Sequence, residues 1–153
     1  MSRLSLEAFV DREMELLPQL VRGMTRHENN YLSKGVITLP QVWVLRYLTQ
    51  QPECPMRELA GFMKMGLSSV TGMVDRLVKQ GLAGRRRTEK DRRLVFVDIT
   101  ARGRKVLSDI LGQRRKTALR LFESLTAEER MIYLSILEKL VKKLSATSLK
   151  MKA

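Results

Sequence analysis

Between Ser68 and Ile99 the chain changes from a helical pattern to a strand pattern and reverses direction at its densest cluster of positive charge. Ser68 to Gln80 places Val70, Val74, Leu77 and Val78 on one side of a helix, so that side is expected to be buried. Gly81 is the expected stop, since glycine accepts the left-handed conformation that follows a helix. Leu82-Ala83-Gly84 and Leu94-Val95-Phe96-Val97-Asp98-Ile99 then read as two short strands. Between them lies Arg85-Arg86-Arg87-Thr88-Glu89-Lys90-Asp91-Arg92-Arg93, in which six of nine residues are Lys or Arg. A connection this short pairs its strands antiparallel, so the cations sit at the tip of a hairpin directly behind a helix.

The residues before this hairpin supply a second helix and a turn. Pro55 opens a short helix, Met56 to Met63, with Leu59, Ala60 and Met63 on its buried side. Lys64-Met65-Gly66 is a turn in which Gly66 is free to take positive φ. Ser68 is the expected N-cap of the next helix. Two helices joined by a tight turn and followed by a cationic hairpin have the layout of a winged helix-turn-helix. There one helix enters a groove of DNA and the hairpin reaches a neighbouring groove. The outward face of the second helix carries Ser68, Ser69, Thr71, Gly72, Asp75, Arg76 and Lys79. Small hydroxyls with cations suit base edges and phosphates.

The flanking regions are helical. From about Leu4 to about Leu32, apolar residues recur at Leu6, Phe9, Val10, Leu16, Leu17, Leu20, Val21 and Met24. Pro18 is expected to kink this helix or to begin a new one, and Lys34-Gly35 ends it. Thr38-Leu39-Pro40-Gln41 is a capping box for a helix with Val42, Leu45, Tyr47 and Leu48 that stops near Pro52. Thr100 caps a long helix, about Ala101 to Phe122, carrying Val106, Leu107, Ile110, Leu111, Ala118 and Leu121. Thr126-Ala127-Glu128-Glu129 is a second capping box, and the last helix carries Tyr133, Leu137, Leu140, Val141 and Leu144 in a stripe widened by Ile132, Leu134 and Ile136. The expected fold is mainly α (α+β), a winged helix-turn-helix with N- and C-terminal dimerisation helices. Residues 1–153 form a single domain, with 38–99 as the DNA-binding lobe and 4–34 and 101–148 as the dimerisation helices. Three amphipathic helices exceed what a lobe of this size can cover, which implies a homodimer rather than a monomeric bundle.

Composition narrows the partners. A formal net charge of +13 points to a polyanion, here double-stranded DNA. A single cysteine, Cys54, excludes an internal disulfide framework and fits a reducing cytoplasm. The acidic residues of the N-terminal segment rule out a signal peptide, and no run of apolar residues is long enough for a membrane span. There is no Cys/His/Asp constellation, phosphate-binding glycine loop or metal-ligand cluster, so neither an enzyme nor a metal or cofactor is expected. The competing reading is an architectural or weakly specific nucleic-acid-binding protein without a ligand response.

From Thr38 to Leu111 the chain resembles the MarR family of bacterial transcription regulators. The resemblance rests on TLPQVWVLRYL, MRELAGFM, GLSSVTGMVDRLVKQGL, RRRTEKDRRLVFVDIT and ARGRKVL, above all the DRR of the hairpin and the T-x-x-G-R that opens the next helix. It implies a homodimer with interlocked terminal helices, and the expected location is cytoplasmic. Its two lobes would bind a pseudo-palindromic site, usually as a repressor relieved by a small phenolic or aromatic carboxylate effector. By this resemblance Arg93 enters the minor groove and Asp91 orients it, while Arg85, Arg86, Arg87, Lys90 and Arg92 meet phosphates or support the wing. Ser68, Ser69, Thr71, Gly72, Arg76 and Lys79 form the recognition surface. Gly72 departs from the larger polar residues common there, and either lets the backbone approach DNA or weakens readout. Trp43 and Tyr47, one turn apart, with Arg46 and His27, either line an effector pocket or belong to the core. The lone histidine does not match the zinc-sensing branch, and Cys54 does not match the cysteine position of the peroxide-sensing branch.

Overall fold

The computed structural model describes residues 4–26, 31–32, 34–87 and 94–150. His27 and the hairpin tip Thr88 to Arg93, with Lys90, Asp91, Arg92 and Arg93, lie outside the described residues. The elements are α1 (Leu6–Arg26), α2 (Leu39–Gln50), β1 (Cys54–Pro55), α3 (Met56–Met63), α4 (Leu67–Lys79), β2 (Ala83–Arg87), β3 (Val95–Ile99), α5 (Ala101–Phe122) and α6 (Ala127–Lys150). The chain is therefore mainly helical with one small sheet, and it divides into two units, Met1–Arg115 and Lys116–Ala153.

In the first unit the core is built where helical and strand periodicities converge. Val42, Val44, Leu45 and Leu48 of α2, Leu59 of α3, and Val70, Met73, Val74 and Leu77 of α4 are buried together with Val97 and Ile99 of β3. Val106, Leu107 and Ile110, spaced at one turn on α5, join the same cluster. α2 begins as its capping box implies. The Thr38 backbone N–H and hydroxyl both donate to Gln41 Oε1, at 2.8 and 3.1 Å. This accounts for Gln41 being a buried polar side chain.

The sheet is antiparallel, ordered β1-β3-β2. Two sequence expectations change here. Cys54-Pro55, read as a turn, is a short third strand pairing Cys54 with Val97 and Pro55 with Phe96. The β2 strand also continues through Arg85, Arg86 and Arg87, which pair with Val97, Phe96 and Val95. Once β3 offers a partner, its ladder of hydrogen bonds continues irrespective of side-chain charge. The arginine run thus belongs to the strand rather than to the tip.

Other expectations shift by a residue or a turn. Pro18 lies inside a continuous α1, so no new helix begins there. The left-handed residue of the turn after α3 is Lys64, at φ 51°, and Gly66 takes an extended conformation. Lys64 sits at the helix C-cap, where its N–H bonds to Gly61 O and that of Met65 to Ala60 O, the arrangement that satisfies a helix end. α4 starts at Leu67 with Gly66 as its cap, so Ser68 is already inside the helix. Met73 is buried where Val78 was expected, and Val78 is exposed, because Met73 lies on the arc shared by Val70, Val74 and Leu77. Gly81, at φ 70°, ends the helix as expected.

One junction ties these elements together. Thr100 donates its hydroxyl to Gly81 O at 2.7 Å and accepts the Gly103 N–H at 2.9 Å. Its own N–H bonds to Leu82 O at 3.2 Å. The first turn of α5 is pressed so close to β2 that a Cβ on Gly103 would lie 2.0 Å from Leu82 O. The threonine and the glycine of the T-x-x-G-R signature are therefore packing requirements.

In the second unit α6 begins at a reciprocal box. Thr126 N–H bonds to Glu129 Oε2 at 2.8 Å and Glu129 N–H to the Thr126 hydroxyl at 3.2 Å. The rings of Phe122 and Tyr133 meet at 5.2 Å between centroids.

Gly103→Ala is expected to cost about 2–3 kcal/mol or more, because backbone rather than a flexible side chain must yield. Gly112→Ala, with open space around the added methyl, should instead gain roughly 0.5–1 kcal/mol. Urea unfolding of the two variants checks the contrast, and equal midpoints would contradict it.

Candidate nucleic-acid interface

The outward face of α4 is polar for a positional reason. Burial of Val70, Met73, Val74 and Leu77 turns Ser68, Ser69, Gly72, Arg76 and Lys79 to solvent, with Thr71 and Asp75 partly covered at the edge. This brings together the six residues assigned to the recognition surface. Hydroxyls at the N-terminal half and cations at the C-terminal half can offer donors to base edges and neutralise phosphates.

The strand geometry sorts the three arginines of β2. Successive side chains alternate across a sheet, so Arg85 and Arg87 share one face and Arg86 points to the other. Arg85 forms an ion pair with Asp75 of α4, at 2.8 Å. This contact links β2 to α4. Arg86 lies over the Phe96 ring, 5.5 Å from its centroid, and pairs with Glu53. Glu53, itself at positive φ, donates its N–H to Asp98 Oδ1 at 2.5 Å. Arg85 and Arg86 are therefore held by carboxylates of their own lobe. These pairs are partly exposed and so contribute little to stability, of order 0.2–1 kcal/mol each. Their value is geometric. Asp75 and Glu53 were not recognised as counter-ions from sequence, since Asp75 is ten positions from Arg85 and Glu53 pairs with Arg86 only because Cys54-Pro55 forms a strand.

A cavity of about 290 Å³ opens between the start of α3, α4 and the wing. Arg57, Thr71, Arg85 and Arg87 line it along with Met56 and Leu67. Cations and a hydroxyl above an apolar floor suit an anion, either a backbone phosphate or the acidic group of a small amphiphile. Trp43 and Tyr47 are not among its walls. Trp43 is 50% exposed, so it is not a core residue in this chain, and Arg46 beside it is exposed. Tyr47 stacks on Phe62 at 4.0 Å between centroids and donates its hydroxyl to Glu58 at 2.9 Å. Among the described residues no group of three or more His, Cys, Asp or Glu side chains could hold a metal ion.

The likeness to known proteins follows the same elements. A sequence model described as the MarR family matches residues 37–95, which span α2 through the start of β3. The chain is 31% identical over 109 residues to the uncharacterized HTH-type transcriptional regulator YsmB of Bacillus subtilis, covering 71% of this chain and 75% of that protein. This chain belongs to the MarR family of DNA-binding transcriptional regulators. A second relative, the HTH-type transcriptional repressor MdtR of Bacillus subtilis, is 29% identical over 127 residues, 83% of this chain and 75% of that one. Among solved structures, the YusO protein from Bacillus subtilis aligns with a TM-score of 0.76 at 27% identity, covering 93% of this chain and 99% of the other. A MarR family protein from Bacillus stearothermophilus shares the fold, with a TM-score of 0.72 at 24% identity over 92% and 99% of the two chains. The MarR relatives are regulators, not enzymes, and no helix among the described residues is long and apolar enough to cross a membrane.

Cys54 sits in the core of this MarR lobe. Burial, and then the nearby Glu58 carboxylate, push its thiol up to about 11. A folded thiol that holds its proton longer than the unfolded one stabilises the fold below about pH 9, and that contribution is lost as pH rises toward 11. At pH 8 iodoacetamide should therefore alkylate native Cys54 on the order of 100-fold more slowly than the urea-unfolded chain, since the thiolate is the nucleophile. Equal rates would show an accessible, activated thiol.

Proposed function

We propose that this regulator acts as a homodimer that binds pseudo-palindromic duplex DNA and represses transcription. Residues 38–99 serve as the DNA-binding lobe, and 4–34 and 101–148 provide the dimer surface. The supporting observation for the DNA contact is the polar face of α4 tied to a cationic wing by Arg85–Asp75. A two-fold pair of such lobes presents its helices about 34 Å apart, matching half-sites ~10 bp apart. Dimerisation is supported by the terminal helices. Every apolar side chain of α1 from Leu6 to Val21 is exposed, as are Ile132, Leu134, Ile136, Leu140, Val141 and Leu144 of α6. Apolar faces of this extent call for a second copy. The repressor role is supported by the MdtR relative.

In this reading Arg93 enters a minor groove, where negative potential is concentrated in narrow A·T-rich segments, and Asp91 orients it. Lys90, Arg92 and Arg87 meet phosphates, while Arg85 and Arg86 support the wing. An aromatic carboxylate relieves repression by competing for the cations around the cavity at Arg57, Arg85 and Arg87. The exposed pair Trp43 and Arg46 is a further aromatic and cationic surface for such a molecule.

Arg93→Ala should weaken binding to a cognate duplex by a factor of ~10–100 while light scattering still reports two chains per particle. Wild-type affinity in the variant removes the wing assignment, and a single chain per particle in the wild type removes the dimer. If the dimer neutralises about 8 phosphates, log K should fall against log salt with a slope near −7. Repeating the titration with millimolar benzoate reads the effector: release of DNA supports it, and unchanged affinity discards it.

A further inference from the structure

We infer that Gly72 is a specificity-determining residue, at which the bare backbone of α4 lies directly against base edges in the major groove. This rests on the reading of α4 as the recognition helix. Gly72 is an interior residue of the helix spanning Leu67–Lys79. Glycine in a helix interior loses more backbone entropy than any other residue, so it persists against a standing cost. At three other glycines of the chain the choice of glycine has an internal cause. Gly35 and Gly81 take positive φ, and Gly103 abuts Leu82 O.

Gly72 has no such cause. Its φ is not positive, and a Cβ built there meets no heavy atom within 4 Å. The protein itself would accept a side chain, and the helix would be more stable for it. Gly23 on α1, Gly61 on α3 and Gly112 on α5 are equally open, but Gly72 differs in what surrounds it. One turn away on the same face stand Ser68, Ser69 and Arg76, all exposed. It is this position on the polar face of α4, rather than openness alone, that assigns the steric demand to the body covering the face, which is DNA. Without a Cβ the peptide backbone reaches base edges that a side chain would hold off, and Arg76 can span from the groove floor to its wall. A methyl at this point pushes the helix out of a tightly fitted site, but it matters little where the helix rides on phosphates alone.

The test compares Gly72→Ala, Gly112→Ala and Arg76→Ala on two probes at one salt concentration. One probe is the tightest duplex selected from a randomised library, and the other is a random duplex of equal length. Both glycine variants should melt about 2 °C higher than wild type, which shows that each is folded. Gly72→Ala should bind the selected duplex at least ~10-fold more weakly and the random duplex within about 2-fold of wild type, whereas any change from Gly112→Ala, which lies on a dimerisation helix and away from α4, should fall on both probes alike. Wild-type affinity of Gly72→Ala for the selected duplex, or an equal loss on both probes, overturns the inference. If Arg76→Ala alone loses affinity, α4 still reads DNA and only the role of Gly72 fails. If neither variant loses affinity, the recognition-helix reading fails with it.

Discussion

Four segments of the MarR lobe are held by one residue, Thr100. Its hydroxyl joins Gly81, at the end of α4, to Gly103, at the start of α5, and its N–H reaches Leu82 O at the entry to β2. The threonine itself follows the last residue of β3. The end of α4, both strands of the hairpin and the first turn of α5 are thereby fixed within a few ångströms of one another. The close approach of Gly103 leaves no slack in this junction. A wing attached this way cannot swing freely with respect to α4, and the Arg85–Asp75 pair adds a second tie further along the hairpin. Readout by two separate elements needs them rigid relative to each other, since flexibility would be an ordering cost at binding.

The charge of the wing is less uniform than its composition implies. Six cations lie between Arg85 and Arg93. Two of them, Arg85 and Arg86, meet carboxylates of the lobe, and alternation along β2 separates Arg86 from its two neighbours. Some basic residues therefore shape the surface on which others act. Net charge predicts a polyanionic partner and a steep salt dependence, but it does not say which arginine contacts DNA.

The elements legible in the sequence were those governed by local chemistry. Thr100 and Thr126 announce helix starts through their own side chains, Thr38 does so with Gln41, whose side chain accepts the Thr38 N–H, and Gly81 announces a stop through its φ. The helix Met56–Met63 followed from Pro55 and a short apolar face. The features that escaped depend on partners far along the chain. β1 exists because Cys54 and Pro55 meet Val97 and Phe96. β2 runs through three arginines because β3 lies beside it. Lys64 takes the left-handed position that Gly66 seemed made for, because helix-end geometry rather than residue preference sets the register of the turn. In the interface, the polar face of α4 was visible from periodicity, whereas Asp75 and Glu53 as arginine partners, and the cavity beside Arg57, required the tertiary arrangement.

The central claim is that this surface reads sequence as a two-fold pair and does not merely attract phosphate. The direct measurement is to pass a genomic DNA library over the purified protein at ~150 mM salt and sequence what is retained. The account predicts an inverted repeat with half-sites ~10 bp apart. Retention of fragments without any shared motif, lost steeply as salt rises, would contradict it and leave a charge-driven architectural binder.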